Sequence, residues 1–165
     1  MPETLQKITM DETDTQHGKF LAFELGKEAF GIEIRYVTEI VGIQKINNLP
    51  ESPDYVKGII NLRGKIIPVI DLRLRFRKEA MSYTDRTCIV VIDILDTAIG
   101  IIVDCVDEVV TITDESIVPP PNYRTGLQNR YIKGIGKAGD DIRLLLDCER
   151  LFRDEEIETL NQIKE

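Results

Sequence analysis

An internal duplication constrains this 165-residue chain more than any other feature. The stretch Tyr55–Phe76, YVKGIINLRGKIIPVIDLRLRF, returns without a gap as Tyr131–Phe152, YIKGIGKAGDDIRLLLDCERLF. Tyr55, Lys57, Gly58, Ile59, Ile66, Asp71 and Phe76 recur as Tyr131, Lys133, Gly134, Ile135, Ile142, Asp147 and Phe152, seven identities in 22 positions. Upstream, Ala29, Gly31, Ile32, Val37, Glu39 and Val41 recur as Ala98, Gly100, Ile101, Val106, Glu108 and Val110. The chain therefore reads as two copies of one unit, about 20–76 and 89–152. Two copies are too few for a solenoid, which needs at least about three stacked repeats. They predict two similar small β-subdomains packed as a pseudo-symmetric pair.

Within each unit the apolar runs are short and separated by turn residues. Ile59–Leu62 and Ile66–Leu72 flank Arg63–Gly64–Lys65, which predicts two strands and a tight turn in which Gly64 can take φ > 0. Pro68 cannot donate to a ladder, so its strand is an edge or bulged there. Phe20–Leu25 and Ala29–Ile34 predict a hairpin around Gly26–Lys27, repeated by Thr87–Ile94 and Ala98–Val103. Val37, Ile40 and Val41 fall at helical spacing, so Arg35–Val41 predicts a short helical turn, repeated by Asp104–Val110. Gln44–Asn48 reads as a strand ended by Pro50 and Pro53, and LRLRFRK from Leu72 as a helical turn or a strand extension. Thr113–Ser116 carries a capping-box pattern. Many short strands between turn signals predict a mainly β fold of small closed barrels.

Charge is concentrated at the ends. Of the net −8, residues 1–18 carry −3 and residues 154–165 carry −4, leaving the body near −1. Residues 1–18 read as a flexible acidic arm, and Ile157, Leu160 and Ile163 lie on one face of a predicted C-terminal helix. No basic stripe interleaved with aromatics is present, which argues against nucleic acid as a partner. No apolar run reaches membrane-spanning length, and the first residues lack a signal-peptide pattern. Cys88, Cys105 and Cys148 are odd in number, show no CxxC spacing, and have only His17 to join them. They predict buried thiols in a reducing compartment rather than a disulfide framework or a zinc site.

Enzymatic signals are weak, with no phosphate-binding loop, nucleophile elbow or histidine pair. The repeat-related Asp71 and Asp147 invite comparison with a two-lobed hydrolase whose carboxylates share a proton. They are followed by Leu-Arg and Cys-Glu, so the small residues that let such acids meet are missing. The plainer reading is that each Asp caps the turn after its strand. The copies differ most at the hairpin tip, where Arg63 faces Gly139 and Asn61 faces Lys137. Glu39 could hold Arg63 in a bidentate pair, leaving Val37 and Ile40 beside it for a partner. The alternative is a local salt bridge that stiffens the hairpin, and spacing does not choose between them.

KGIINLRGKIIPVIDLR, preceded by FGIEIRYVTEI and followed by IGIIVDCVDEV and YIKGIGK, resembles the CheW family of bacterial chemotaxis coupling proteins. The likeness runs from about Phe20 to Phe152. It implies one CheW-like domain over 19–153, made of two intertwined five-stranded barrels of SH3-like or OB-like type. It also implies a cytoplasmic adaptor without enzymatic activity or cofactor, recruited to membrane-bound receptor arrays. Its implied partners are the cytoplasmic tip of a chemoreceptor (a methyl-accepting chemotaxis protein) and the regulatory domain of the histidine kinase CheA, with rings formed alongside the kinase or itself. By position, Val37, Glu39, Ile40, Gly58, Arg63 and Gly64 match the family's receptor-side face, while the kinase contacts are not assigned to residues. A detached kinase regulatory domain is the sibling reading.

Overall fold

The computed structural model describes residues 16–120 and 131–152. The residues of the acidic arm before Gln16 and of the expected C-terminal helix lie outside the described residues. The chain runs β1 (Lys19–Leu25), β2 (Glu28–Glu33), a 3-10 turn (Ile34–Tyr36), β3 (Val37–Gly42), β4 (Val56–Leu62), β5 (Lys65–Asp71) and α1 (Leu72–Arg75). The second copy follows as β6 (Cys88–Ile94), β7 (Thr97–Val103), β8 (Cys105–Thr111), a 3-10 turn (Asp114–Ser116), β9 (Ile117–Val118), β10 (Ile132–Ala138), β11 (Asp141–Leu146) and α2 (Cys148–Leu151).

The strands form two sheets, ordered β8-β1-β2-β11-β10-β9 and β3-β6-β7-β5-β4. The copies are interleaved rather than side by side. The first hairpin of copy one, β1–β2, completes the six-stranded sheet of copy two, and β6–β7 completes the five-stranded sheet of copy one. Equivalent parallel joints close the exchange: β5 pairs β7 through Val69 and Gly100, and β11 pairs β2 through Leu145 and Gly31. Both joints are tight at their glycines. A Cβ on Gly31 would come within 2.9 Å of Leu145 Cδ2, and one on Gly100 within 2.8 Å of Ile89 Cγ2. Pro68 lies just before the β5–β7 ladder begins, so its missing N–H breaks no bond on that side.

Four expectations are corrected. Val37–Gly42 and Cys105–Thr111 are strands, not helical turns. Each pairs with a neighbouring strand, and each ladder is interrupted by a register shift. A bulge places an extra residue in the strand and lends it false helical spacing. Gln44–Asn48 supplies only one bridge, Asn47 to Ile59. The ladders are open rather than closed into barrels, with β3 and β4 as the ends of one sheet and β8 and β9 as the ends of the other. The Thr113 side chain makes no cap; its hydroxyl meets that of Ser116 instead.

The largest core lies between the sheets. Phe23, Phe30 and Ile32 meet Ile70, Leu72, Ile92 and Ile99, all fully buried. Each sheet also covers a smaller core of its own. The five-stranded sheet encloses Ile60, Ile67, Val69, Ile89, Val91, Ala98 and Ile102; the six-stranded sheet encloses Phe20, Ile112 and Leu145.

Candidate functional site

The β4–β5 turn has only two residues between strands, Arg63 at φ +52° and Gly64 at φ +85°. Two positive φ values in succession match the right-handed twist of a hairpin, and a non-glycine residue there is strained. Asn61 Oδ1 accepts from the Gly64 N–H at 2.8 Å and braces the turn. Arg63 projects with its side chain 70% exposed, and its Nη2 is ion-paired to Glu39 Oε2 on β3. This is a single contact rather than the bidentate fork expected. The cation at the β4–β5 tip is therefore held by a strand from the opposite end of the same sheet.

The other sequence-derived residues separate into three roles. Ile40 is exposed and stands on the same strand as Glu39, and Ile66 is exposed just past the turn. Val37 is half-buried and packs on the main core, so it shapes the strand more than the surface. Gly58 is buried at φ +145°, where a Cβ would stand 2.0 Å from the Asn47 carbonyl oxygen. Its part is to let the 43–55 connection lie against β4. Gly64 supplies the turn. Arg63, Glu39, Thr38, Leu62 and Lys65 line one shallow groove with Ile67 at its floor.

The second copy keeps exposed apolar residues at the matching positions but differs in charge. Val109 and Ile142, the counterparts of Ile40 and Ile66, are both exposed. Arg63 and Lys65 of one tip are replaced by Gly139 and Asp141 at the other, Gly64 by Asp140, and Asn61 by Lys137.

Asp71 and Asp147 are caps. Asp71 Oδ1 accepts from the Arg73 N–H at 2.9 Å and Asp147 Oδ1 from the Arg150 N–H at 3.1 Å. Asp71 Oδ2 also accepts from the Tyr83 hydroxyl at 2.8 Å. Burial and that bond push the Tyr83 phenol well above its ordinary range. Nothing in this arrangement brings the two acids to one centre. Cys148 is buried in the main core, and Cys88 and Cys105 are half-buried. Burial raises the Cys105 and Cys148 thiols, the opposite of what a nucleophile needs.

Sequence reading missed the arginines of α1. Arg73 and Arg75 are buried, although their segment reads as a basic surface run. Arg73 Nε donates to Asp104 Oδ1 at 2.8 Å, and its Nη2 pairs with Oδ2. Burial alone would raise the Asp104 carboxyl, but the bonds from Arg73 and from the Gly26 N–H outweigh it and hold it below its ordinary value. The counterpart of Asp104 is Arg35 and that of Arg73 is Glu149. There the Tyr36 hydroxyl bridges them, accepting from Arg35 at 3.1 Å and donating to Glu149 at 3.1 Å. Such a polarity swap between copies was readable only by aligning the units position by position.

A family model described as the CheW-like domain matches residues 19–156. The chain is 37% identical over 150 residues to the chemotaxis protein CheW of Klebsiella aerogenes, covering 91% of this chain and 90% of that one. It is 35% identical over 159 residues to CheW of Treponema pallidum, covering 94% and 93%. Among solved structures, the scaffolding protein TtCheW from Thermoanaerobacter tengcongensis superposes with a TM-score of 0.77 at 38% identity, covering 84% of this chain and 94% of that one. Among the described residues no helix is long and apolar enough to cross a membrane. The exchanged hairpins, the braced Arg63–Gly64 turn and these matches together place the chain in the CheW-like family of chemotaxis scaffold proteins.

Proposed function

We propose that this protein is a non-enzymatic, cytoplasmic scaffold that couples the cytoplasmic tip of a chemoreceptor to the regulatory domain of the histidine kinase CheA. The observation that carries the reading is the Arg63 tip, at positive φ, largely exposed, and held by Glu39 over a groove lined by Leu62 and Ile67. The receptor tip is a helical hairpin in this reading, and its apolar stripe lies in the groove beside Arg63, with Ile40 exposed on the strand that carries Glu39. Val37, Gly58 and Gly64 set the shape of that face. In this reading the kinase regulatory domain, or another copy, meets this chain end to end at a second contact, so that rings form within a membrane-bound array. Holding receptor and kinase at high effective concentration lets receptor state shift the kinase between activities.

Two titrations test this. Calorimetric titration of the full chain into the isolated CheA regulatory domain is expected to give saturable one-to-one binding. Folded partners that show no heat at tens of micromolar, roughly a −6 kcal/mol interaction, would sink the kinase half of the reading. Arg63→Ala is expected to weaken receptor-tip binding about tenfold or more while moving stability by under about 1 kcal/mol, since the pair with Glu39 is exposed. An unfolded variant would make Arg63 structural instead.

A further inference from the structure

The tyrosines that open the duplicated hairpins, Tyr55 and Tyr131, share one cation. The Arg75 guanidinium carbon lies 4.9 Å from the centroid of each ring. Its Nη2 donates to the Tyr131 hydroxyl at 2.9 Å and to the Leu151 carbonyl at 3.2 Å. Arg75 is buried. A guanidinium is planar, so it stacks on aromatic faces while donating within its own plane, which an ammonium does not do.

The backbone of each tyrosine is tied to the far end of its own hairpin. The Tyr55 carbonyl accepts from the Asp71 N–H at 2.8 Å, and the Tyr131 carbonyl accepts from the Asp147 N–H at 2.7 Å. Phe76, the next residue after Arg75, stacks on Tyr131 at 6.1 Å and on Phe30 at 5.9 Å, and Phe30 stacks on Phe23 at 5.5 Å. One run of rings and one cation therefore join β4–β5 of the five-stranded sheet to β10–β11, β2 and β1 of the six-stranded sheet. The counterpart of Arg75 is Leu151, so the duplication supplies one cation for two equivalent rings.

We propose that Arg75 is a coupler between the two hairpins, a positioning residue through which a shift of β4–β5 is felt by β10–β11 and the reverse. Interiors packed at crystal density have no slack at such a junction. A ring that moves on one side must carry the shared guanidinium, and the guanidinium carries the second ring. The Arg63–Gly64 tip and its counterpart Gly139–Asp140 each close one of these hairpins, so a shift imposed at one tip is felt at the other. The coupling itself rests on the fold and not on what binds at Arg63.

The test is a triple-mutant box on the full chain, read by urea unfolding. Tyr55→Leu, Tyr131→Leu and the double variant are made with Arg75 and again with Arg75→Met. With Arg75 present, the unfolding constant of the double variant is expected to differ from the product of the single effects by at least about threefold. With Arg75→Met the effects become multiplicative. A merely structural arginine lowers stability but leaves the two tyrosine effects independent of each other. Independent effects with Arg75 present would overturn the proposal. The same coupling in both backgrounds would overturn it too, because the rings would then act without the cation. If Arg75→Met does not fold, Arg75→Lys replaces it; the charge is kept and the planar stack is lost, and coupling is expected to fall in the same way.

Discussion

The two sheets are built from the same repeat, yet their interiors differ. In the five-stranded sheet Ile60 and Ile67 face each other across β4 and β5 and are buried among aliphatic neighbours. The counterpart pair in the six-stranded sheet is Gly136 and Arg143 across β10 and β11. Val91 has Ala22 as its counterpart and Ile102 has Glu33. The second interior is filled from elsewhere. Ile112 comes within 2.9 Å of where a Gly136 Cβ would sit, and Arg143 lays its stem inside while its Nη1 meets Asp107 Oδ2 at 3.4 Å. Among the described residues Arg143 Nε has no partner. A duplicated fold thus needs only one copy with a fully aliphatic interior; the other tolerates a buried cation once the shared core between the sheets is in place.

Exchanging residues between the copies tests this, from the largest effect to the smallest. Ile60→Gly imports the residue of the weaker interior. It is expected to cost about 3–6 kcal/mol, from the lost side chain, the cavity and the glycine in a strand, a large part of a typical stability of about 5–15 kcal/mol. Chemical denaturation reads it, and a loss under about 1 kcal/mol would mean that the two interiors are not distinct. The reverse change, Gly136→Ile, overpacks Ile112 and Leu145 and is expected to cost about 1–3 kcal/mol. If it instead stabilised the protein, the space counted as filled by Ile112 would have to be open.

The crossings between sheets extend the comparison. Asp104→Asn leaves the buried Arg73 without its counter-charge, at a cost of about 1–3 kcal/mol, toward the lower end because Asp104 keeps some solvent. The Asp104 carboxyl is held below its unfolded value, so its contribution is present above that value and is lost as pH falls through the folded one. The acid limb of a stability profile should therefore flatten in Asp104→Asn; an unchanged limb would place the titration elsewhere. Glu24 acts in the other direction. A hydrogen bond to Asp107, burial and the Asp107 charge raise it, so its contribution is present in acid and lost as pH rises through its folded value. The smallest effect is expected from Arg143→Ile, the graft of Ile67 into the other sheet. The Asp107 left behind is exposed and stays solvated, so a change within about 1 kcal/mol is expected. A large loss would show that the Arg143–Asp107 pair holds the sheet together.

Much of this was legible from the sequence. The repeat, the β4–β5 hairpin, the caps at Asp71 and Asp147 and the Glu39–Arg63 pair all follow from local chemistry. Strand β3 was hidden because its bulge mimics helical spacing. The open ladders were hidden because pairing of distant strands has no local signal. The part played by Gly58 depends on a connection eleven residues upstream, and the burial of Arg73 and Arg75 depends on acceptors contributed by the other copy. A stretch of alternating Leu and Arg does not reveal which of its faces the rest of the fold will cover.

The order of strands has a consequence for synthesis. Residues 37–103 supply the whole five-stranded sheet, whereas the six-stranded sheet takes its strands from both sides of that segment. During translation β1–β2 emerges first and waits for β8. At about 5–20 residues per second, the roughly 80 residues between them take about 4–16 seconds to appear. Through that interval the first hairpin has no permanent neighbour in its own sheet, while the inserted sheet can already be complete. The nascent chain is therefore most exposed to mispairing at its oldest end, and β1–β2 is where a chaperone or a neighbouring nascent copy would find an unpaired edge.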